Sequence, residues 1–182
     1  MPVYVAMLRG INVGGNKIIK MDRLRASFES LGFEQVQTYI QSGNIVFKAG
    51  KASSTALSKK IEDRIVKDFG FPASVVLRAS QEIAGAIAAN PYVKDPAIEM
   101  ERLHVMFLRD APAPETLKEL ARLTTKPDRS HCSGKEIYFH LPNGVARSSL
   151  ANNPIERRLL SQATMRNWKT VSALHQMCQD RA

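Results

Sequence analysis

Two short segments near the N-terminus combine glycine, asparagine and arginine in a pattern suited to holding an anion. The first is Arg9-Gly10-Ile11-Asn12-Val13-Gly14-Gly15-Asn16, and the second is Tyr39-Ile40-Gln41-Ser42-Gly43-Asn44. Glycine permits positive φ, so successive backbone N–H groups can point into one concavity, and an arginine beside it adds a fixed charge. The first segment is neither a phosphate-binding loop, because no Gly-Lys-Ser/Thr ends it, nor the three spaced glycines of a dinucleotide fingerprint. Two segments near the C-terminus are similar in composition, Asn143-Gly144-Val145-Ala146-Arg147-Ser148 and Thr164-Met165-Arg166-Asn167-Trp168. The candidate ligand-binding residues are therefore Arg9, Gly10, Asn12, Gly14, Gly15, Ser42, Gly43, Asn44, Arg147, Ser148, Arg166, Asn167 and Trp168. Each also has a purely structural reading. The glycine loop can be a turn, and Ser42-Gly43 a two-residue hairpin connection. Asn143-Gly144 can be another turn, Ser148 or Ser149 and Asn167 or Thr164 can cap helices, and Trp168 can anchor a core.

Other chemistries fit less well. His104, His131, His140 and His175 are scattered, with no pair at ligand spacing on one helix, so no metal site and no cofactor is expected. No Gly-x-Ser-x-Gly elbow surrounds any serine, and Asp22, Glu62 and Asp63 read as helix-surface carboxylates. No residue stands out as a catalyst, and whether the protein is an enzyme stays open, with Arg9 or Arg166 as the electrostatic stabiliser if it is.

The charge balance agrees with an anionic partner. The chain carries a formal net charge of +9, spread over both halves: residues 1–90 hold 12 basic and 7 acidic groups, residues 91–182 hold 14 and 10. Within that spread, 9–25 has Arg9, Lys17, Lys20, Arg23 and Arg25 against Asp22 alone. Residues 144–169 have Arg147, Arg157, Arg158, Arg166 and Lys169 against Glu156 alone. Cys132 and Cys178 form no Cys-x-x-Cys pattern, which argues against a disulfide scaffold and a zinc ribbon. The N-terminus lacks the features of a signal peptide and no apolar run reaches membrane-spanning length, so a cytoplasmic protein with no membrane partner is expected.

The elements that must position these segments follow from periodicity. Val3 to Leu8 is an almost unbroken apolar run, a buried strand. Leu24, Phe28 and Leu31 recur at helical spacing and Gly32 supplies a stop. Residues 36–40 alternate, Gln41 to Asn44 turn, and Ile45 to Phe47 return. Leu57, Ile61, Ile65 and Phe69 form a second helical stripe, and Ser74 to Leu77 another strand. Strand, helix, strand, strand, helix, strand is the split βαβ, or ferredoxin-like, plan. Residues 81–182 partly repeat it. A short helix over 82–89 leads to a strand at 103–108, a helix carrying Leu117 and Leu120, and a hairpin turn at Ser133-Gly134-Lys135. A strand at 137–141 and two helical stretches follow, one with Ile155, Leu159 and Leu160, the other with Trp168, Val171, Leu174 and Cys178. No last strand is evident. The expectation is an α+β protein of two packed split βαβ units, 1–80 and 81–182, the second incomplete or modified.

The same motifs carry a resemblance. Tyr4 to Gly15, Met21 with Leu24, Gly32-Phe33 and Thr38 to Phe47 are similar to the bacterial domain-of-unknown-function 1697 family (DUF1697). Gly144 to Ser148 and Thr164 to Val171 resemble its closing motifs, and Met165 departs from the polar residue expected there. The resemblance runs the length of the chain and implies a two-part α/β fold of split βαβ type; it implies no activity. The leading functional expectation is a small phosphorylated or otherwise anionic ligand at a glycine- and arginine-rich rim. A nucleic-acid-binding module is the alternative, because split βαβ domains can stack bases on their two central strands. Val3 to Leu8 has the rhythm of such a first strand, whereas Ser42 to Phe47 lacks the leading aromatics.

Overall fold

The computed structural model describes residues 1–151 and 163–182. The expected helical stretch with Ile155, Leu159 and Leu160 lies outside the described residues, as do Glu156, Arg157 and Arg158. The chain forms two compact units, Met1–Ala84 with Ala173–Ala182, and Gly85–Ser172.

The first unit runs β1 (Val3–Leu8), α1 (Met21–Glu29), β2 (Glu34–Tyr39), β3 (Asn44–Lys48), α2 (Ser54–Phe69) and β4 (Val75–Ala79). Its antiparallel sheet has the order β2-β3-β1-β4, the split βαβ arrangement, with Met7 opposite Asn44 and Val5 opposite Arg78. Alternation along β1 divides its residues between two faces. Tyr4, Ala6 and Leu8 join Ile45, Phe47, Val75 and Leu77 under Leu24 and Phe28 of α1 and Leu57, Ile61 and Ile65 of α2. Val3, Val5 and Met7 on the opposite face are buried too, which is why the strand reads as a continuous apolar run. Ser53 caps α2 by accepting from the Ala56 amide, and Gly70 closes it in a left-handed conformation, φ 79°. The β2–β3 connection is four residues, Ile40 to Gly43, with Tyr39 opposite Asn44, rather than the expected two-residue turn. Positive φ at Ile40 and Gly43, 51° and 82°, lets the longer loop close.

After α3 (Ser80–Ala88), the second unit contains β5 (Leu103–Leu108), α4 (Pro114–Leu123), β6 (Arg129–Ser133), β7 (Glu136–His140) and β8 (Ala163–Asn167), and α5 (Trp168–Gln179) follows. The sheet order β6-β7-β5-β8 repeats that of the first unit, again antiparallel throughout. The fold is α+β, with two four-stranded sheets of split βαβ type. Contrary to the expectation of no last strand, a fourth strand, β8, pairs with β5. Its five residues, Ala-Thr-Met-Arg-Asn, include a buried Arg166 and lack the apolar run that marks β1 and β5.

Candidate functional site

The first two glycine-containing segments meet at one rim of the first sheet. The Leu8 amide donates to Gly43 O at 2.8 Å, and the Arg9 amide to Ser74 O at 2.9 Å. The exit of β1 is thus stitched to the entries of β3 and β4. Asn12 fixes the loop above them. Its Nδ2 donates to Ile19 O (3.0 Å) and to Gln41 O (2.8 Å), while its Oδ1 accepts from the Ile19 amide (2.8 Å). With Asn12 N also bound to Lys17 O at 3.1 Å, the loop closes on itself and onto the β2–β3 connection. Its tip is a tight turn from Val13 to Asn16, with Gly14 and Gly15 at φ 58° and 74°, the sign pattern of a type I′ turn.

Several expected ligand residues are spent on this architecture. Asn44 is fully buried, and its Nδ2 donates to Tyr39 O and to Ser42 Oγ. Gly43 is required sterically, because a Cβ there would meet Ile11 Cδ1 at 2.7 Å and Leu8 Cβ at 2.9 Å. Arg9, half-buried, and the exposed Gly10, Gly14 and Gly15 stay at the surface of the rim. Among the described residues, the Gly14 and Gly15 amides donate to no protein acceptor. Lys17 reaches Pro72 O with its Nζ at 2.8 Å, holding its charge beside the entry of β4. Residues 9–20 contain Arg9, Lys17 and Lys20 and no carboxylate. Between α1 and α2, a cleft of about 230 Å³ is lined by Arg23, Ser27, Arg64, Asp68 and Phe69. There Arg64 and Ser27 both donate to Asp68 Oδ2, at 2.7 and 2.6 Å, and hold its carboxyl below the usual carboxylate range.

The second unit supplies an internal comparison. At the exit of β5 the Leu108 amide donates to Lys135 O at 2.9 Å, as Leu8 does to Gly43. Phe107 stands opposite Glu136 as Met7 stands opposite Asn44, and Arg109 follows β5 as Arg9 follows β1. Arg166 opposite Val105 likewise matches Arg78 opposite Val5; both guanidinium-bearing residues are buried. Two features differ. The connection to the next helix is five residues, 109–113, in place of the twelve of 9–20. It also contains Asp110, and Glu136 occupies the place of the neutral Asn44. Arg78 and Arg109 are absent from the sequence-level candidates; the Leu-Arg pair ending each first strand was the signal that could have drawn attention to Arg109.

The C-terminal candidates lie in this second unit. Arg147 is exposed in a single 3-10 turn, Val145–Arg147, after Gly144 at φ 79°. Ser148 Oγ accepts from the Leu150 amide, and Ser149 donates through its amide and its hydroxyl to Asp128 Oδ2. Arg166 donates through Nη1 to Thr164 Oγ1 (2.6 Å) and to Met165 O (2.9 Å). Asn167 caps α5, its Oδ1 accepting from the Thr170 amide at 2.9 Å. Trp168 is half-buried rather than a core anchor; Val171, Leu174 and Cys178 carry the buried stripe of α5. Burial pushes the Cys178 thiol up to about 11, so it stays protonated at neutral pH.

A family model described as a protein of unknown function, DUF1697, matches residues 1–138. The chain belongs to DUF1697. The match spans the glycine loop, the β2–β3 connection and the whole of the first sheet, and ends before the Gly144 and Thr164 segments. Among solved structures, a similar fold is that of the conserved bacterial protein SP0830 from Streptococcus pneumoniae. That likeness has a TM-score of 0.78 at 23% identity and covers 97% of this chain and 98% of the other. It concerns the fold alone. No curated protein matches the chain. For this DUF1697 member, any functional reading rests on the rim itself.

Proposed function

We propose that the protein binds a compact anion, such as the phosphate group of a small ligand, at the rim formed by the glycine loop and the β2–β3 connection. The observation that carries this reading is the contrast between two equivalent rims. Five residues suffice to connect β5 to α4, whereas the β1–α1 connection uses twelve. The added residues supply adjacent left-handed glycines and two lysines and no acid, so their composition exceeds what chain reversal requires. Exposed amides at Gly14 and Gly15, on a loop that also carries Arg9 and Lys17, are the donors an anion needs. Rigidity matters as well, since the Asn12 hydrogen bonds order the loop before a ligand arrives. Residues 9–20 and 40–44 contain no His, Cys, Asp or Glu, so the rim supplies binding groups and no carboxylate, imidazole or thiol for proton transfer.

The nucleic-acid alternative loses its stacking mode. Tyr4 and Phe47, the aromatics on the two central strands, stack on each other at 5.9 Å within the core under the helices. They offer no exposed platform for bases. The test is thermal denaturation with inorganic phosphate and with chloride at matched ionic strength. Phosphate is expected to raise Tm in a saturable manner, and Arg9→Ala is expected to remove most of that rise. Equal effects of phosphate and chloride would overturn the proposal.

A further inference from the structure

Three large aliphatic side chains are exposed around the same loop. Val13 is 66% exposed, Ile18 60% and Ile40 49%. Each is one residue from a bond that fixes the rim: Val13 follows Asn12, Ile18 follows Lys17, to whose carbonyl Asn12 N donates, and Ile40 precedes Gln41, whose carbonyl Asn12 holds. Ile40 is also in the left-handed region at φ 51°, a conformation that a β-branched side chain rarely adopts. A polar residue or glycine at any of these three places would satisfy the turns equally well or better. The apolar side chains are thus not called for by the turns themselves, and they belong to the two segments, 9–20 and 40–43, that the Asn12 hydrogen bonds join.

We infer that the ligand is amphiphilic: a phosphate group carried on an apolar body, the phosphate at Gly14-Gly15 and the apolar part against Val13, Ile18 and Ile40. This rests on the anion reading above and deepens it. Charge complementarity selects the head group, because residues 9–20 carry three basic residues, Arg9, Lys17 and Lys20, and no acidic one. The aliphatic side chains select what is attached to it, since an inorganic ion leaves them in water. Each methylene that becomes buried strengthens binding about fourfold. A soluble organic phosphate of a few carbons is the occupant, rather than a bilayer, because a preordered loop favours a ligand of fixed size.

The experiment compares inorganic phosphate, ethyl phosphate and n-hexyl phosphate, titrated calorimetrically into the full chain. A second arm uses phosphatidylcholine vesicles containing phosphatidic acid. Hexyl phosphate is expected to bind at least about tenfold more tightly than inorganic phosphate. The combined Val13→Ser, Ile18→Ser and Ile40→Asn variant should lose that gain and keep its affinity for inorganic phosphate. The asparagine tolerates the left-handed backbone, and an unchanged Tm of this variant controls for folding. Equal affinities for all three phosphates overturn the amphiphile while leaving the anion site standing. Chain-length dependence that survives in the triple variant overturns it as well. Binding to the acidic vesicles without binding to hexyl phosphate assigns the patch to a lipid surface and overturns the soluble ligand. If none of the three phosphates binds, the underlying anion reading fails with it.

Discussion

Asn12 and Gly43 are the residues on which the rim depends, and both act through geometry that substitution can probe. Asn12→Ala removes two donated hydrogen bonds and one accepted bond, and at about 1 kcal/mol apiece it should cost about 2–3 kcal/mol in urea denaturation. Gly43→Ala should cost about 3 kcal/mol, because a left-handed non-glycine residue adds about 1–2 and the clash with Ile11 and Leu8 adds a similar amount. Gly14→Ala meets no neighbour and should cost only about 1–2 kcal/mol for its φ. A Gly43→Ala protein as stable as the Gly14→Ala one would contradict the packing argument. This division explains what the sequence could show of the site. The composition of Arg9 to Asn16 marked the loop, but glycines that exist for packing and glycines that face solvent look alike in a sequence. The contacts with Ile11 and Leu8 separate Gly43 from Gly14. The partners of Asn12, Ile19 and Gln41 carry no pattern at all, since backbone carbonyls and amides accept and donate irrespective of side chain.

At the scale of elements, the long apolar runs were legible and the short polar ones were not. β1 is buried along its length and β5 at every position but His104, and both read as such, while the stripe Leu57, Ile61, Ile65 located α2. β8 was hidden because an edge strand needs only one set of pairing bonds and its side chains are Thr, Met, Arg and Asn. The helix-cap reading of Asn167 was nevertheless correct, because one asparagine both ends β8 and caps α5. Asn167→Ala should therefore lower stability by about 1 kcal/mol. Along α5, Leu174→Ala should cost about 2–5 kcal/mol, as expected for a fully buried leucine. Trp168→Ala should cost less than the roughly 3–5 kcal/mol of a fully buried ring, because Trp168 is only partly buried. If the tryptophan substitution proves the more damaging of the two, the assignment of the core stripe to Val171, Leu174 and Cys178 is wrong.

For the molecule as a whole, two histidines with lowered pKa values contribute to the acid side of the stability curve. Burial pushes the His104 imidazole below its ordinary value. Burial and then the Arg129 guanidinium do the same at His140, where Arg129 Nη2 lies 3.1 Å from Nδ1 and Asp95 and Asp128 oppose the shift only in part. Both are neutral in the folded chain at pH values where the unfolded chain already takes up a proton. The unfolded state therefore binds more protons below about pH 6.5, and stability should fall as pH is lowered from there. His104→Gln with His140→Gln should flatten the Tm profile between about pH 6.5 and 5.5. A profile as steep as that of the parent chain would mean that carboxylates govern this region instead. The two-unit plan was visible in the repeated strand–helix order, yet the matched rims were not, because register between strands is a property of pairing and not of either strand alone.

Arg181 bears on how the chain reaches this fold during synthesis. Its guanidinium donates through Nε to Gln35 O at 3.1 Å and through Nη2 to Gln37 Oε1 at 2.6 Å, so it sits against β2, an outer strand of the first sheet. Gln35 and Arg181 are separated by 146 positions. A nascent chain can assemble β1 to β4 once the first eighty or so residues have emerged from the ribosome. The border of that sheet then waits for a residue translated much later, and an uncovered border is a template for pairing with another chain. The bulge between Glu34 and Gln37, with Gln35 at φ 50°, interrupts the ladder there and offers protection before Arg181 arrives.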